Sequence, residues 1–289
     1  MSAEATVRSE HPTREAARVF MRSPAAVGGL LLLAAILAVA LAGPFVLNVD
    51  PFDITAAPLT PPWTGDALLG TDQQGRDVLI GLVYGGRATL AVGATAALIS
   101  ILIGIAIGAL AGYFGGTIDE MLMRVTEFFQ VLPALLFAMV LVTLLSPSLP
   151  TVALSIGAVS WTATARLTRA EFLKIKQLDF VAAEHVIGAG RNRIIWKVIL
   201  PNALPPLIVS ATLAIGTAIL FEASLSFLGL GDPNRMSWGL MIGSGRSYML
   251  SCWWGVTFPG LMIFLSVLAI SLIGDGLNDA LNPKLRERR

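Results

Sequence analysis

Five stretches of this 289-residue chain contain no charged side chain: Ser23 to Val49, Ala88 to Ile118, Phe128 to Ala165, Val198 to Phe221 and Ser247 to Gly274. A helix needs about 20 apolar residues to cross the hydrocarbon core of a bilayer. All five stretches are long enough, and the third is too long for one crossing. Its middle reads Leu145-Ser-Pro-Ser-Leu-Pro150, a turn signal that divides it in two. The sequence therefore predicts six membrane-spanning helices, over residues 25–47, 88–112, 121–146, 151–168, 205–229 and 252–274. Composition agrees: 55% of residues are apolar and 13% charged, where soluble domains carry ~45–50% and about 25%. The expected fold class is all-α, a polytopic membrane protein.

Lysine and arginine set the expected orientation. Arg8, Arg14, Arg18 and Arg22 precede the first span. Arg166, Arg169, Lys174, Lys176, Arg191, Arg193 and Lys197 lie between spans four and five, and Lys284, Arg286, Arg288 and Arg289 follow the last. The opposite side holds Arg76, Arg235 and Arg246, with Arg87 and Arg124 at span ends. Both termini are thus expected in the cytoplasm. The layout is a tail over 1–24, a first span over 25–47, an extracytoplasmic loop over 48–87, a helical core over 88–275 containing a cytoplasmic loop at 179–200, and a tail over 276–289. A secretory signal peptide is the competing reading of the first span, with Leu30 to Ala42 as its apolar region and Ala40-Leu41-Ala42 resembling a cleavage site. A charged tail of more than twenty residues ahead of it argues against that reading.

Catalytic signatures are missing. None of the four lysines follows a glycine, so no Walker A phosphate loop can form, and Gly-x-Gly-x-x-Gly and Gly-x-Ser-x-Gly are both absent. One cysteine (Cys252) and two histidines (His11, His185) do not make a zinc site of the usual kind. A net charge of +1 gives no bulk attraction to nucleic acid. The chain is expected to be no enzyme, with no catalytic residue, metal or cofactor of its own.

Several polar features stand out against the apolar background. In Asp179-Phe-Val-Ala-Ala-Glu-His-Val-Ile-Gly188, Asp179 can cap a short helix and the Gly188-Ala-Gly190 run permits a sharp bend. A basic segment from Arg191 to Leu200 follows, expected to stop at Pro201 and Pro205. This knuckle fits either a protein partner or lipid headgroups. Gly104, Gly108 and Gly112 share one helix face, suited to close packing or to a moving seam. Glu222 is the one ionisable residue in the fifth span. A carboxylate there is costly, roughly 2.5–3.5 kcal/mol for Asp at a helix centre, so it must face protein or water. It either lines a water-filled path through the protein or bonds a neighbouring helix. Arg235 and Arg246 either meet acidic groups of a partner or substrate, or anchor the interface beside Trp238, Trp253 and Trp254. The loop from Val49 to Gly86 carries five aspartates and reads as a solvated connection or a docking surface. Arg124 has Glu120 and Glu127 at helical spacing for ion pairs, and Asp275 and Asp279 end the sixth span, suited to capping it or docking the tail.

The stretch from Asp179 to Pro205 resembles the EAA loop of ABC-importer permeases, in which Glu-Ala-Ala is followed by a glycine and then by a Leu-Pro element. Ala183, Gly188 and Leu200-Pro201 fit that pattern, while Ala182 stands where the first glutamate is expected. Leu69-Gly-Thr-Asp-Gln-Gln-Gly-Arg-Asp77, Ala111-Gly-Tyr-Phe-Gly-Gly116, Glu222 to Gly231 and Gly274 to Pro283 are similar, in order and spacing, to the C-type permease subunit of the dipeptide/oligopeptide branch. The resemblance implies a type I ABC-importer permease fold forming half of a channel for di- or oligopeptides in the cell inner membrane. It implies a second, DppB-like permease subunit, two ATPase subunits that bind ATP and magnesium, and an extracytoplasmic substrate-binding protein. Ala183, Glu184, His185, Ile187 and Gly188 would then couple to the ATPase. Relatives sharing these motifs also carry nickel or other small solutes. A secondary transporter without ATPase is the rival class, and it calls for a chain of intramembrane ionisable groups or an inverted repeat, where this sequence offers Glu222.

Overall fold

The computed structural model describes residues 12–65 and 67–281. Arg8, His11 and the basic C-terminal residues from Lys284 onward lie outside the described residues. All regular structure among them is helical: α1 (Pro12–Met21), α2 (Pro24–Leu47), α3 (Val78–Phe114), α4 (Gly116–Val131), α5 (Ala134–Leu145), α6 (Leu149–Lys176), α7 (Asp179–Val186), α8 (Arg191–Phe227), α9 (Trp238–Gly245) and α10 (Trp254–Leu281). A 3₁₀ turn, Arg246–Tyr248, follows α9.

Four of these helices, α2, α3, α8 and α10, are long and apolar enough to cross a membrane, and the bent pair α4–α5 makes a fifth if counted as one span. The six expected crossings differ from this at two places. The third expected span, 121–146, is broken by an 88° bend between α4 and α5. The cause is local: Pro133 forces Leu132 out of the helical region, to φ −69° and ψ 132°. The fourth, α6, is long enough, but it includes Arg166 and runs on past 168 through Arg169, Glu171, Lys174 and Lys176, so its C-terminal third is charged.

Helix ends also shift. Asp77 caps α3, accepting from the backbone N–H groups of Leu79 at 2.7 Å and Ile80 at 3.3 Å, so α3 begins ten residues before the expected 88. Absence of charge marks lipid-exposed helix, and Arg87 lies on a helical turn packed by protein. Leu178, not Asp179, occupies the N-cap of α7, with Asp179 in its first turn. Pro201 does not stop the segment after Gly190. The ladder widens into a π-helix at Ile194–Ile199 immediately before Pro201, where a bond must be lost in any case, and continues to Phe227. Asn202 Nδ2 donates to the Val198 carbonyl at 2.7 Å within this turn. Asp275 and Asp279 fall inside α10 rather than at its end.

The centre of the bundle is the α3–α6 pair. A Cβ on Gly104 would lie 2.5 Å from Thr164 Cβ, one on Gly108 2.6 Å from Thr168 Cβ, and one on Gly112 2.6 Å from Phe172 Cβ. Gly157 of α6 answers with Ile99 of α3, 2.7 Å from where its Cβ would be. The glycine stripe is therefore a packing face within this chain. α2 joins the bundle in the same way, through Gly29 against Ala269 and Leu272 of α10.

Candidate functional site

One end of the bundle carries α7. Val181 is fully buried with Phe172, Ile175, Ile194, Ile195, Ile199, Ala203 and Leu207, and Ala109 and Tyr113 of α3 join this cluster. The knuckle thus has a small core of its own. Gly188 closes α7 in a Schellman turn: its φ is +78°, its N–H donates to the His185 carbonyl at 3.1 Å, and the Ala189 N–H donates to the Glu184 carbonyl at 3.0 Å. Nothing lies within 4 Å of a Cβ built on Gly188, so backbone conformation rather than space demands glycine there.

The structure brings the five expected coupling residues onto this one knuckle. Ala183, His185, Ile187 and Gly188 are exposed, while Glu184 is half-buried in an ion pair with Arg193 at 3.3 Å. Glu184 thus braces the two arms. Sequence reasoning missed Val186, which is 87% exposed beside Ile187 at 73%. The missed signal was the period: Val181 faces inward, so residues five and six positions on face away. Trp196 adds a half-exposed ring on the second arm. Two contacts tie the knuckle to the bundle. Lys176 Nζ donates to the Tyr113 carbonyl at 2.6 Å, an orphan group at the end of α3. Arg169 of α6 grips Asp119 of α4 through Nε at 2.5 Å and a terminal nitrogen at 2.6 Å. Beyond them Arg124 pairs with Glu120 at 2.6 Å on the exposed side of α4.

The opposite end is built around α9, which the sequence did not reveal. Ser237 caps it, accepting from Leu240 N–H at 3.2 Å. Gly239 and Gly243, four apart, sit directly over Ala223 and Phe227 of α8. Trp238 and Trp254 are buried in protein, not set at a lipid interface as expected. Trp238 Nε1 donates to the Leu82 carbonyl at 2.9 Å, and Trp254 Nε1 to the Thr71 carbonyl at 3.0 Å. Trp253 is half-exposed. The Leu69–Asp77 motif is a clasp: Asp72 accepts from the backbone of Gln74 and Arg76 and from Arg76 Nε at 2.7 Å, while Thr71 is held by Thr60, Ala57 and Trp254. Cys252 packs beneath it, and burial pushes its thiol pKa up.

Glu222 sits where α3, α8 and α9 meet, 1% exposed. Ser226 Oγ donates to its Oε1 at 2.7 Å, Thr89 and Ser237 flank it, and Oε2 is buried without a hydrogen-bond partner. Glu222→Gln retains the acceptor for Ser226 and adds donors for the flanking hydroxyls, so uptake should stay within about twofold of wild type. Glu222→Leu leaves Ser226 without an acceptor and should cost roughly 1–3 kcal/mol of stability. Uptake in proteoliposomes and thermal unfolding measure the two, and a folded Glu222→Gln protein that fails to transport would place the carboxyl on the path. The two expected outer-face arginines separate. Arg246 stacks over the Phe227 ring at 5.2 Å, whereas Arg235 lines an open crevice.

A helical membrane subunit with a rigid, apolar-tipped knuckle at one end and a clasped, helix-capped junction at the other has the architecture of an ABC-importer permease. A chain of the MetNI methionine ABC transporter, solved in inward-facing conformations, superposes with a TM-score of 0.60 at 20% identity, over 70% of this chain and 96% of that one. The family model "Binding-protein-dependent transport system inner membrane component" matches residues 104–287, and "N-terminal TM domain of oligopeptide transport permease C" matches 11–62. Among curated relatives, the di/tripeptide permease DppC of Pseudomonas aeruginosa is 43% identical, covering 95% of this chain and 93% of its own length. The dipeptide permease DppC of Haemophilus influenzae is 38% identical over 98% of both, and OppC of the same organism, an oligopeptide permease, is 39% identical over 94% of this chain and 89% of its own. The chain belongs to the family of binding-protein-dependent transport-system inner-membrane components and is a multi-pass inner-membrane permease subunit.

Proposed function

We propose that this chain forms half of the translocation channel of an ATP-driven importer of di- and oligopeptides, paired with a second, DppB-like permease. Its termini and the 179–200 loop face the cytoplasm, in keeping with the basic residues gathered there. Two ATPase subunits bind ATP and magnesium, and an extracytoplasmic binding protein delivers the peptide to the opposite face. This chain performs no hydrolysis itself. The observation that carries the reading is the exposed Val186–Ile187 tip on a knuckle with its own core. An apolar pair on a rigid support fits a helix-in-groove contact, and burying each side chain contributes roughly 1.5–3 kcal/mol. Relatives named for di- and tripeptides and for oligopeptides support the substrate class.

The test is reconstitution. Coexpressed with its neighbouring transport subunits and placed in proteoliposomes, the chain should support ATP-dependent accumulation of a labelled tripeptide when binding protein is present. Nickel uptake under the same conditions, or peptide uptake by the isolated chain without ATP, would overturn the proposal.

A further inference from the structure

At the end of the bundle opposite the knuckle lies a crevice of about 580 Å³, lined by Asn48 to Phe52 at the end of α2, Tyr84, Arg87 and Ala88 of α3, Leu149 of α6, and Asn234 to Met236 ahead of α9. We infer that this crevice is the socket in which Arg87 and Arg235 receive a carboxylate side chain of the extracytoplasmic binding protein. The inference rests on the reading above that this end faces outward and that a binding protein docks there.

Charge is the first ground. Two guanidiniums line the crevice against one carboxylate, Asp50. Among the described residues neither arginine has an acidic partner within ion-pairing distance. Arg87 stacks on Phe45, its centre 6.0 Å from that ring, and Asp50 accepts from the Phe52 N–H at 2.9 Å. The side-chain amides of Asn48 and Asn234 on the wall can donate hydrogen bonds to an anion. Tyr84 already donates to the Pro44 carbonyl at 3.3 Å, which fixes α3 to the end of α2.

Rigidity is the second ground. Arg235 stands on a loop held in place by Asp232. Asp232 Oδ2 accepts from the Leu149 N–H at the start of α6 at 3.2 Å, its Oδ1 accepts from Asn234 N–H at 2.9 Å, and its carbonyl accepts from Arg235 N–H at 3.3 Å. Arg87 stands on a helix. Two forked cations are therefore presented from elements that other contacts fix, which lowers the cost of ordering them when an anion arrives. A rim charge of this kind governs encounter rate and salt dependence. The neighbouring Ser237 caps α9, which in turn covers Glu222, so a group seated in the socket bears on the junction beneath.

The experiment uses the assembled transporter in nanodiscs, titrated with its binding protein at low and high salt. Arg235→Glu and Arg87→Glu should each weaken docking about tenfold at low salt, lose most of the salt dependence, and leave ATP hydrolysis without binding protein unchanged. Raised binding-protein concentration should restore uptake. Equal docking by wild type and by the double variant would overturn the inference while leaving the importer reading intact. Unchanged docking with a raised peptide KM at saturating binding protein would overturn it in favour of the peptide's own carboxylate. A wild-type complex that responds to no binding protein would overturn both.

Discussion

Ile187→Asp should reduce peptide uptake by the reconstituted importer at least tenfold while the protein remains folded and inserted. The side chain is 73% exposed, so aspartate there has water around it in the isolated chain. In the assembled transporter the same position would be buried by the ATPase. The lost apolar contact is worth roughly 1.5–3 kcal/mol, and an unpaired carboxylate in a closed groove adds a desolvation cost. Even 1.4 kcal/mol is about a tenfold change in the docked population. Basal ATP hydrolysis should persist, freed from stimulation by loaded binding protein. Gly188→Leu should act on the same coupling by another route, because a side chain at φ +78° costs about 1–2 kcal/mol and unseats the Schellman turn that aims the tip. Full uptake in Ile187→Asp would remove the tip from the ATPase contact. Loss of the protein from the membrane would show that the exposed pair serves folding instead.

How much of this could be read from the residues differs by element. α2 and most of α10 were legible because Ser23 to Val49 and Ser247 to Gly274 are charge-free runs, long enough to cross a bilayer. The knuckle was legible through Gly188, since a bend between two short amphipathic arms needs a residue free to take positive φ. α3 was misread at its start because Val78, Gly81 to Val83, Gly85 and Gly86 pack against protein there, while Arg87 keeps an exposed position beside Phe45. The α4–α5 bend hid in a continuous apolar stretch: Pro133 was visible, but a lone proline kinks some helices and breaks others, and only packing decides. α9 was hidden for a different reason. Its residues are small and apolar like the spans around it, and its position is set by Gly239 and Gly243 against α8, a long-range fit no periodicity reports. Glu222 was visible as an anomaly, yet its surroundings come from Thr89, 133 positions earlier in the chain, and from Ser237.

Gly108→Leu should unfold the bundle centre. The stripe Gly104, Gly108 and Gly112 was visible in the sequence; its partner was not, and the partner sets the size of the effect. At Gly108 a Cβ alone would press on the Ala165 carbonyl and lie 2.9 Å from the Arg169 backbone nitrogen. Backbone cannot rotate away as a side-chain tip can, so α3 and α6 must part along their length. Overpacking a core costs about 1–3 kcal/mol where side chains give, and contact with backbone places this site at or above that range. Separation also strikes the knuckle, because Arg169 and Phe172 stand on the same turns of α6: the first holds Asp119 of α4, and the second is the centre of the cluster under α7. The melting temperature in detergent should fall by about 2–4 °C for each kcal/mol lost, and uptake should fall with it. Gly260→Leu in α10 is the matched comparison, since nothing lies within 4 Å of a Cβ there; it should melt like wild type. Equal melting of both variants would mean that α3 and α6 slide freely past each other and that the stripe is a seam that moves, in which case Gly108→Leu should instead stall transport in a stable protein.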